Sequence, residues 1–282
     1  MGKNTIWVTG ASGKLGSVLT DLLQDNVDYK VIATDKDVDI TDSHAVTQAV
    51  EIYRPNIIIN CASISDPEYC ESNIVEAFKV NALGARNLAT ASRHVNAKII
   101  QMSTDDVFSG VPSGFLTEYD TPNPNTIYGK SKLAGENYVR ELNPKHLIIR
   151  SSWVYGIGKG DYFSTVVEYG KNNMSFNAPK DHISSPTNAT ELADFIITML
   201  DEAEYGIYHA SCEGACSRFD FAKEILIGMG YDGRLVKGVS AHMDGGHTST
   251  VLENLMMKMT EVYEMSHWQD SLKEYMEEIK EG

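Results

Sequence analysis

Long apolar runs are missing from this 282-residue chain: none reaches the ~18 to 20 residues that a membrane span requires. Basic residues are also scarce, with 24 Lys and Arg against 39 Asp and Glu and a formal charge of −15. A field of that sign opposes phosphate backbones and anionic lipid, so neither nucleic acid nor a membrane is expected as a partner. A local basic pocket for a small anionic ligand stays open. Cysteine is sparse, and the four present, Cys61, Cys70, Cys212 and Cys216, do not fall at zinc-ligand spacings. They are expected to be reduced and structural. His242 and His247 bracket the glycine turn Asp244-Gly-Gly246 without a third ligand nearby, so no metal site is expected. The first residues run directly into a strand and leave no room for a signal peptide, so a cytoplasmic location is expected. Internal repeats and low-complexity stretches are absent from the sequence.

What is present is ordinary in bulk, 42% hydrophobic and 22% charged, and long enough for a substantial core. The order of its parts is informative. Thr5 to Thr9 reads as a short buried strand, followed by Gly10-Ala-Ser12-Gly13-Lys14-Leu15-Gly16 and a helix with apolar residues at helical spacing. Strand, glycine loop and helix N-terminus together form a site for a pyrophosphate, because the glycines let the backbone approach and the helix N–H groups face the anion. A second strand, Lys30 to Thr34, ends on Asp35. A carboxylate at that distance holds a ribose 2′-hydroxyl and repels a 2′-phosphate, which favours NAD over NADP; Lys36 next to it offsets part of that preference. Asp39 and Ile40 follow, with Thr41 or Asp42 as the cap of the next helix.

Strands and helices then alternate: Asn56 to Asn60, a helix from Asn73 to His94, Lys98 to Met102, a helix from Ile127 to Leu142, and His146 to Arg150. Continuous apolar strands in βαβ order predict an α/β fold, a Rossmann-type doubly wound parallel sheet covered on both faces. Ligands of such sheets lie beyond the carboxyl ends of the strands. That rule brings Cys61-Ala62-Ser63, Ser103-Thr104-Asp105 and Ser151-Ser152-Trp153 around one cleft. Tyr128 and Lys132, four apart on a helix, share a face, and a lysine cation beside a phenol is expected to lower its pKa toward a useful range for proton transfer. The Gly- and Pro-rich stretch from Ser109 to Pro124 reads as a long functional or mobile loop. Beyond Tyr155 come a helix from Asp161 to Lys171, an irregular stretch to Pro186, a helix from Ala189 to Leu200, a short strand, a helix from Arg218 to Met229, and a charged C-terminal helix.

With the glycine loop, Ser103-Thr-Asp-Asp-Val-Phe108, Asn125-Thr-Ile-Tyr-Gly-Lys-Ser-Lys-Leu-Ala-Gly-Glu136, Ile149-Arg-Ser-Ser-Trp-Val-Tyr-Gly156 and Ser185-Pro-Thr187 in sequence, the chain resembles the extended short-chain dehydrogenase/reductases. Within that family it is similar to the RmlD-like, dTDP-4-dehydrorhamnose reductase branch, over nearly its whole length. The resemblance implies a dinucleotide-binding part at 1–158 and 187–210 and a smaller, discontinuous substrate lobe at 159–186 and 211–282. It implies NAD(P)H-dependent reduction of a 4-keto-6-deoxy nucleotide sugar, with a homodimer as an allowed assembly. Thr104, Tyr128 and Lys132 would be catalytic. Gly10, Ser12, Gly13, Lys14, Leu15, Gly16, Asp35, Asp39, Ile40, Cys61, Ala62, Ser63, Asn81, Ser103, Tyr128 and Lys132 would hold the cofactor, and Ser65, Asp105, Asp106 and Trp153 the substrate. Asp106 stands where the family has tyrosine, His182-Ile-Ser-Ser replaces Gln-x-Gly-x, and an Arg-Pro segment near the C-terminus is replaced by Ala241 to His247. These departures leave open a second reading, a dinucleotide-binding regulatory subunit similar to the β subunit of methionine adenosyltransferase.

Overall fold

Alternate residues of the first strand, Asn4–Thr9, enter two separate cores, which is why the strand is apolar without interruption. Ile6 and Val8 face Leu19, Leu23 and Ile196 on one side, while Trp7 faces Val46, Val50 and Leu88 on the other. The same division applies to Ile57 and Ile59 against Ile58, and to Ile100 against Ile99. Burial on both faces requires helices on both faces, the doubly wound arrangement. The computed structural model describes residues 4–110, 114–156, 160–202, 204–241 and 248–281. The expected turn carrying His242 and His247, and the boundary at residue 158, lie outside them.

The main sheet has six parallel strands in the spatial order Gly206–His209, His146–Ser151, Lys98–Thr104, Ile57–Asn60, Asn4–Thr9, Tyr29–Thr34. Strand direction of travel reverses between Asn4–Thr9 and Ile57–Asn60, so the ligand crevice of the fold opens there, above the glycine loop. Lys98–Thr104 is two residues longer than the sequence suggests and carries Ser103 and Thr104 at its tip. Its register with His146–Ser151 sets Thr104 beside Ser151. A smaller lobe is built from discontinuous segments: the strands Phe176–Pro179 and His182–Ser184, within the stretch expected to be irregular, pair with Val236–Val239, Cys216–Ser217 and Thr248–Ser249. Helices Tyr162–Lys171, Arg218–Gly228 and Trp268–Glu281 pack over it through Tyr155, Phe163, Phe221 and Tyr275.

Two further elements depart from expectation. The helix expected from Asn73 to His94 is interrupted by a π-helical turn, Lys79–Gly84, between Ile74–Phe78 and Ala85–His94. Asp66 caps an additional short helix, Pro67–Ser72, its carboxylate accepting from the Tyr69 N–H with proline in the first turn. The loop after Ser109 is pinned: Leu116 bridges to Leu252, and the Glu118 carboxylate accepts the backbone N–H groups of His209 and Met256 at 2.9 and 3.2 Å. Asp42 is the cap of Ser43–Tyr53. All four cysteines are free thiols.

Under the sheet end lies a buried ion pair. Arg150 Nη2 meets Glu136 Oε2 at 2.7 Å, with side chains 2% and 3% exposed. Arg150 also packs its guanidinium over the Phe108 ring and stands beside His209, its partner in the next strand. The His209 ring lies between the carbonyls of Leu116 and Glu253 at Nδ1 and Arg150 at Nε2, an arrangement that assigns the proton to Nδ1. Burial, and then the Arg150 charge, pull its pKa from the usual 6.5 down to about 3. The unfolded chain therefore protonates this ring below about pH 6.5 while the folded chain does not. Stability is unaffected by it above that pH and declines as pH falls toward about 3, by roughly 1.4 kcal/mol per pH unit. Urea midpoints taken from about pH 7 to about pH 5 should fall, and His209→Asn should make that fall shallower.

Candidate active site

The glycine loop is shaped by close approach. Gly10 has φ +67°, and a Cβ there would lie 2.5 Å from the backbone nitrogen of Ala62 at the end of the third strand. A Cβ on Gly16 would overlap the Gly10 carbonyl oxygen, so the helix Lys14–Gln24 can sit against the loop only with glycine at this position. Gly13 stands at the N-cap and no side chain caps the helix. Backbone N–H groups and the helix dipole are thereby presented to the crevice, the arrangement a pyrophosphate needs.

A cavity of about 1150 Å³ opens over this loop. Of the sequence-chosen residues, Gly10, Ser12, Gly13, Asp35, Asp39, Ile40, Cys61, Ala62 and Ser63 line it. Lys14, Leu15 and Gly16 form the first helical turn behind it, with Leu15 turned toward the core. Sequence reasoning missed its far wall, where Tyr69, Ile74, Val75, Lys79 and Val80 project from the capped helix and the turn after it. The Asp-Pro-Glu run at Asp66 was the signal for that wall. Asp35 stands at the cavity edge, its carboxylate hydrogen-bonded by the hydroxyl and the N–H of Ser12. Asp39 accepts the Thr41 N–H at 2.8 Å, and the buried Ile40 packs where a side chain on Gly84 would otherwise stand.

Beyond the cavity, the helix Ile127–Leu142 begins at Thr126, whose hydroxyl accepts the Gly129 N–H at 3.0 Å. Gly129 is required because a Cβ would overlap the Asp106 carbonyl. This close contact brings Tyr128 to the tip of Lys98–Thr104, where the Thr104 hydroxyl acts on its phenol. Lys132, one turn on, donates to the Met102 carbonyl at 2.7 Å. Asn81 sits in the π-helical turn: its amide bonds both backbone groups of Ile64, at 2.8 and 2.9 Å, and donates to Ser131 at 2.9 Å. It fixes the 61–65 segment against the Tyr128 helix. Ser103 donates to Glu136 at 2.5 Å, which ties the strand tip to the Glu136–Arg150 pair. A buried amide ladder, Thr9 to Asn60 to Gln101, crosses the strand ends beneath.

The electrostatics correct one expectation. Burial, then the Asp106 carboxylate, push the Tyr128 phenol well above its usual range, and the Thr104 hydroxyl pulls the other way, so the phenol is not lowered as the lysine neighbour alone predicts. Lys132 itself is brought down to about 8 by burial, opposed by Glu136 and Cys61. Asp106 is pushed up to about 7, first by burial and then by Asp105, against the Thr104 hydrogen bond and the Arg218 cation. A pair of adjacent carboxylates thus faces the phenol, one of them half-neutral near physiological pH.

Asp105 was expected to meet substrate. In the structure its carboxylate is buried and accepts hydroxyls of Thr104, Ser152, Ser184 and Thr250, at 3.2, 3.2, 3.0 and 2.6 Å. Those donors come from the main sheet and from the smaller lobe, so Asp105 joins the two. Trp153 follows the fifth strand in a left-handed conformation, φ +44°, which costs a bulky residue of order 1–3 kcal/mol. Its ring meets His182 edge-on at 5.2 Å and lies under the Arg218 guanidinium at 3.6 Å. Ser65 is exposed at the start of the far wall. Among the described residues no group of His, Cys, Asp and Glu could hold a metal ion, and no helix is long and apolar enough to cross a membrane.

A family model described as the RmlD substrate binding domain matches residues 4–281. The spore coat polysaccharide biosynthesis protein SpsK of Bacillus subtilis is 33% identical over 278 residues, 97% of each chain. A dTDP-4-dehydrorhamnose reductase of Aggregatibacter actinomycetemcomitans is 36% identical over 226 residues, 78% of this chain and 77% of that one. Among solved structures, a dTDP-4-dehydrorhamnose reductase from Clostridium acetobutylicum aligns with a TM-score of 0.93 and 37% identity, over 98% of this chain and 99% of that one. The Bacillus anthracis dTDP-4-dehydrorhamnose reductase in complex with NADP gives 0.92 and 35%, with the same coverage. The crevice geometry predicts that Gly16→Ala, by forcing the helix off the Gly10 carbonyl, destabilises the fold by about 1–3 kcal/mol. It should also abolish dinucleotide binding, measured by titration of the intrinsic tryptophan fluorescence.

Proposed function

Since the chain belongs to the RmlD-like family of extended short-chain dehydrogenase/reductases, we propose that it is an NAD(P)H-dependent reductase of a 4-keto-6-deoxy nucleotide sugar. The substrate proposed is dTDP-4-dehydrorhamnose, reduced to dTDP-L-rhamnose as a precursor of cell-surface polysaccharide. The observation that carries the reading is the joining of Thr104, Tyr128 and Lys132 at one strand tip, next to a cavity over an uncapped helix N-terminus. The residues present suit a dinucleotide. Gly10, Gly13 and Gly16 leave room for its pyrophosphate, Asp35 offers a carboxylate to a ribose hydroxyl, and Cys61 to Ser63 line the way toward the acid pair. Asp35 favours NADH, while the related Bacillus anthracis enzyme was solved with NADP.

A bound nicotinamide supplies the hydride. The protein does the rest. Thr104 holds the C4 carbonyl oxygen by a hydrogen bond and Tyr128 delivers its phenolic proton to that oxygen, so that ketone plus hydride plus proton gives the alcohol. Because burial and Asp106 keep the phenol protonated at neutral pH, Tyr128 retains the proton it must transfer. Lys132, still largely cationic near pH 7, stabilises the phenolate left behind and would hold the ribose of a bound nicotinamide cofactor. Asn81, Glu136 and Asp105 act through these groups by holding their backbones in register. Trp153 stands on the sugar side.

The test is loss of nicotinamide absorbance with a panel of 4-keto sugars linked to dTDP, UDP and GDP, using NADH and NADPH in turn. Turnover with the dTDP sugar and a fall of about 10²–10⁴ in kcat for Tyr128→Phe, with cofactor binding retained, support the reading. No absorbance change with any member of the panel overturns it. The Asp106 carboxylate adds a second prediction. Once ionised above about pH 7 it opposes the phenolate that proton transfer creates, so kcat falls as pH rises through about 7. Asp106→Asn removes that decline, read from the pH profile of kcat.

A further inference from the structure

Arg218 opens the helix Arg218–Gly228 in the smaller lobe, and neither its position nor its neighbours distinguish it in the sequence. Its guanidinium lies over two aromatic rings, 3.6 Å from the Trp153 ring centroid and 4.7 Å from that of Tyr162. The Tyr162 hydroxyl donates to the Arg218 carbonyl at 2.9 Å, which holds ring and backbone together. A planar cation that packs its face on aromatic rings leaves its edge free, and the N–H donors of a guanidinium all lie in that edge. Among the described residues no hydrogen bond or ion pair uses those donors. Asp105 and Asp106 act on the cation through space only, and Asp105 is already engaged by four hydroxyls. Trp153 stays in a left-handed conformation that a bulky residue adopts only when its surroundings hold it. The arrangement therefore preserves a partly desolvated fork, within electrostatic reach of Asp106 and through it of Tyr128, with its edge uncommitted.

We propose that Arg218 is a substrate-binding residue, its guanidinium edge taking a phosphate oxyanion of the nucleotide diphosphate while Trp153 and Tyr162 hold it in plane. Bidentate pairing with phosphate is the chemistry this fork is built for, and lysine does not reproduce it. With the oxyanion in place the charge that Asp105 and Asp106 share with Arg218 is drawn toward the substrate. Arg218 therefore links recognition of the diphosphate to the carboxylate beside Tyr128.

This inference rests on reading the substrate as a nucleotide sugar, and binding measured without turnover separates the two. Calorimetric titrations of the full chain with dTDP, with thymidine, with inorganic phosphate and with NADH would be run on the native protein, Arg218→Lys and Arg218→Met. The expected result is a loss of about 10- to 100-fold in dTDP affinity for Arg218→Met, and a smaller loss for Arg218→Lys. Thymidine and NADH should bind all three proteins equally, the NADH result also reporting that each variant is folded. Unchanged dTDP affinity in both variants, a parallel loss for thymidine, or no dTDP binding by the native chain overturns the proposal. Tight, Arg218-dependent binding of inorganic phosphate alone, with dTDP no better, overturns it in favour of a free-phosphate site. Arg218-dependent dTDP binding in a protein that reduces no keto sugar removes the reductase reading and leaves this one standing.

Discussion

A full positive and a full negative charge, each excluded from water, meet at 2.7 Å between Arg150 and Glu136 beneath the site. Taking either alone out of water is expensive, and breaking such a pair from one side costs about 3–5 kcal/mol. The helix of Tyr128 and Lys132 and the strand tip at Ser103 are both attached to it. Glu136 shares the helix of Tyr128 and Lys132, its other oxygen takes the Ser103 hydroxyl one residue before Thr104, and its charge supports the cationic form of Lys132. Arg150 belongs to the fifth strand and, across the register, adds its charge to the burial that keeps His209 neutral in the sixth. This contact, with the Ser103 hydroxyl on the same carboxylate, sets the helix of Tyr128 and Lys132 against the strands that carry Thr104 and Arg150.

The sheet and the acid pair were legible because they rest on local, periodic rules. Ile57 to Ile59 and Ile99 to Ile100 are apolar on both faces and read as strands wherever they occur, and Gly10 to Gly16 needs only a strand before and a helix after. The smaller lobe was less legible. Strands such as His182–Ser184 are three residues long, polar, and exist because Thr248–Ser249 and Cys216–Ser217, distant in sequence, pair with them. No window of sequence contains that information. The same limit hid the role of Asp105, whose four hydroxyl donors come from segments up to 145 residues away.

The site shows a parallel division. Thr104, Tyr128 and Lys132 meet as their spacing suggests, but the sign of the electrostatic effect on the phenol was not readable. It depends on how deeply Tyr128 is buried and on Asp106 facing it, both properties of packing. Arg218 was invisible for a related reason: an arginine at a helix start is commonplace, and only the convergence of Trp153 and Tyr162 on its guanidinium makes it distinctive.

The π-helical turn at Lys79–Gly84 has a counterintuitive implication for the chain's capacity to change. One residue fewer there would restore regular α-helical hydrogen bonding and so improve the helix taken alone. Yet it would turn everything before the deletion by about 100° relative to everything after it. Asn81 would lose Ile64 or Ser131, and the far wall of the cavity, carried on Tyr69 to Val75, would swing away from the glycine loop. The irregular turn is a length constraint: beyond the side chains fixed at Asn81 and Gly84, this stretch cannot shed a residue.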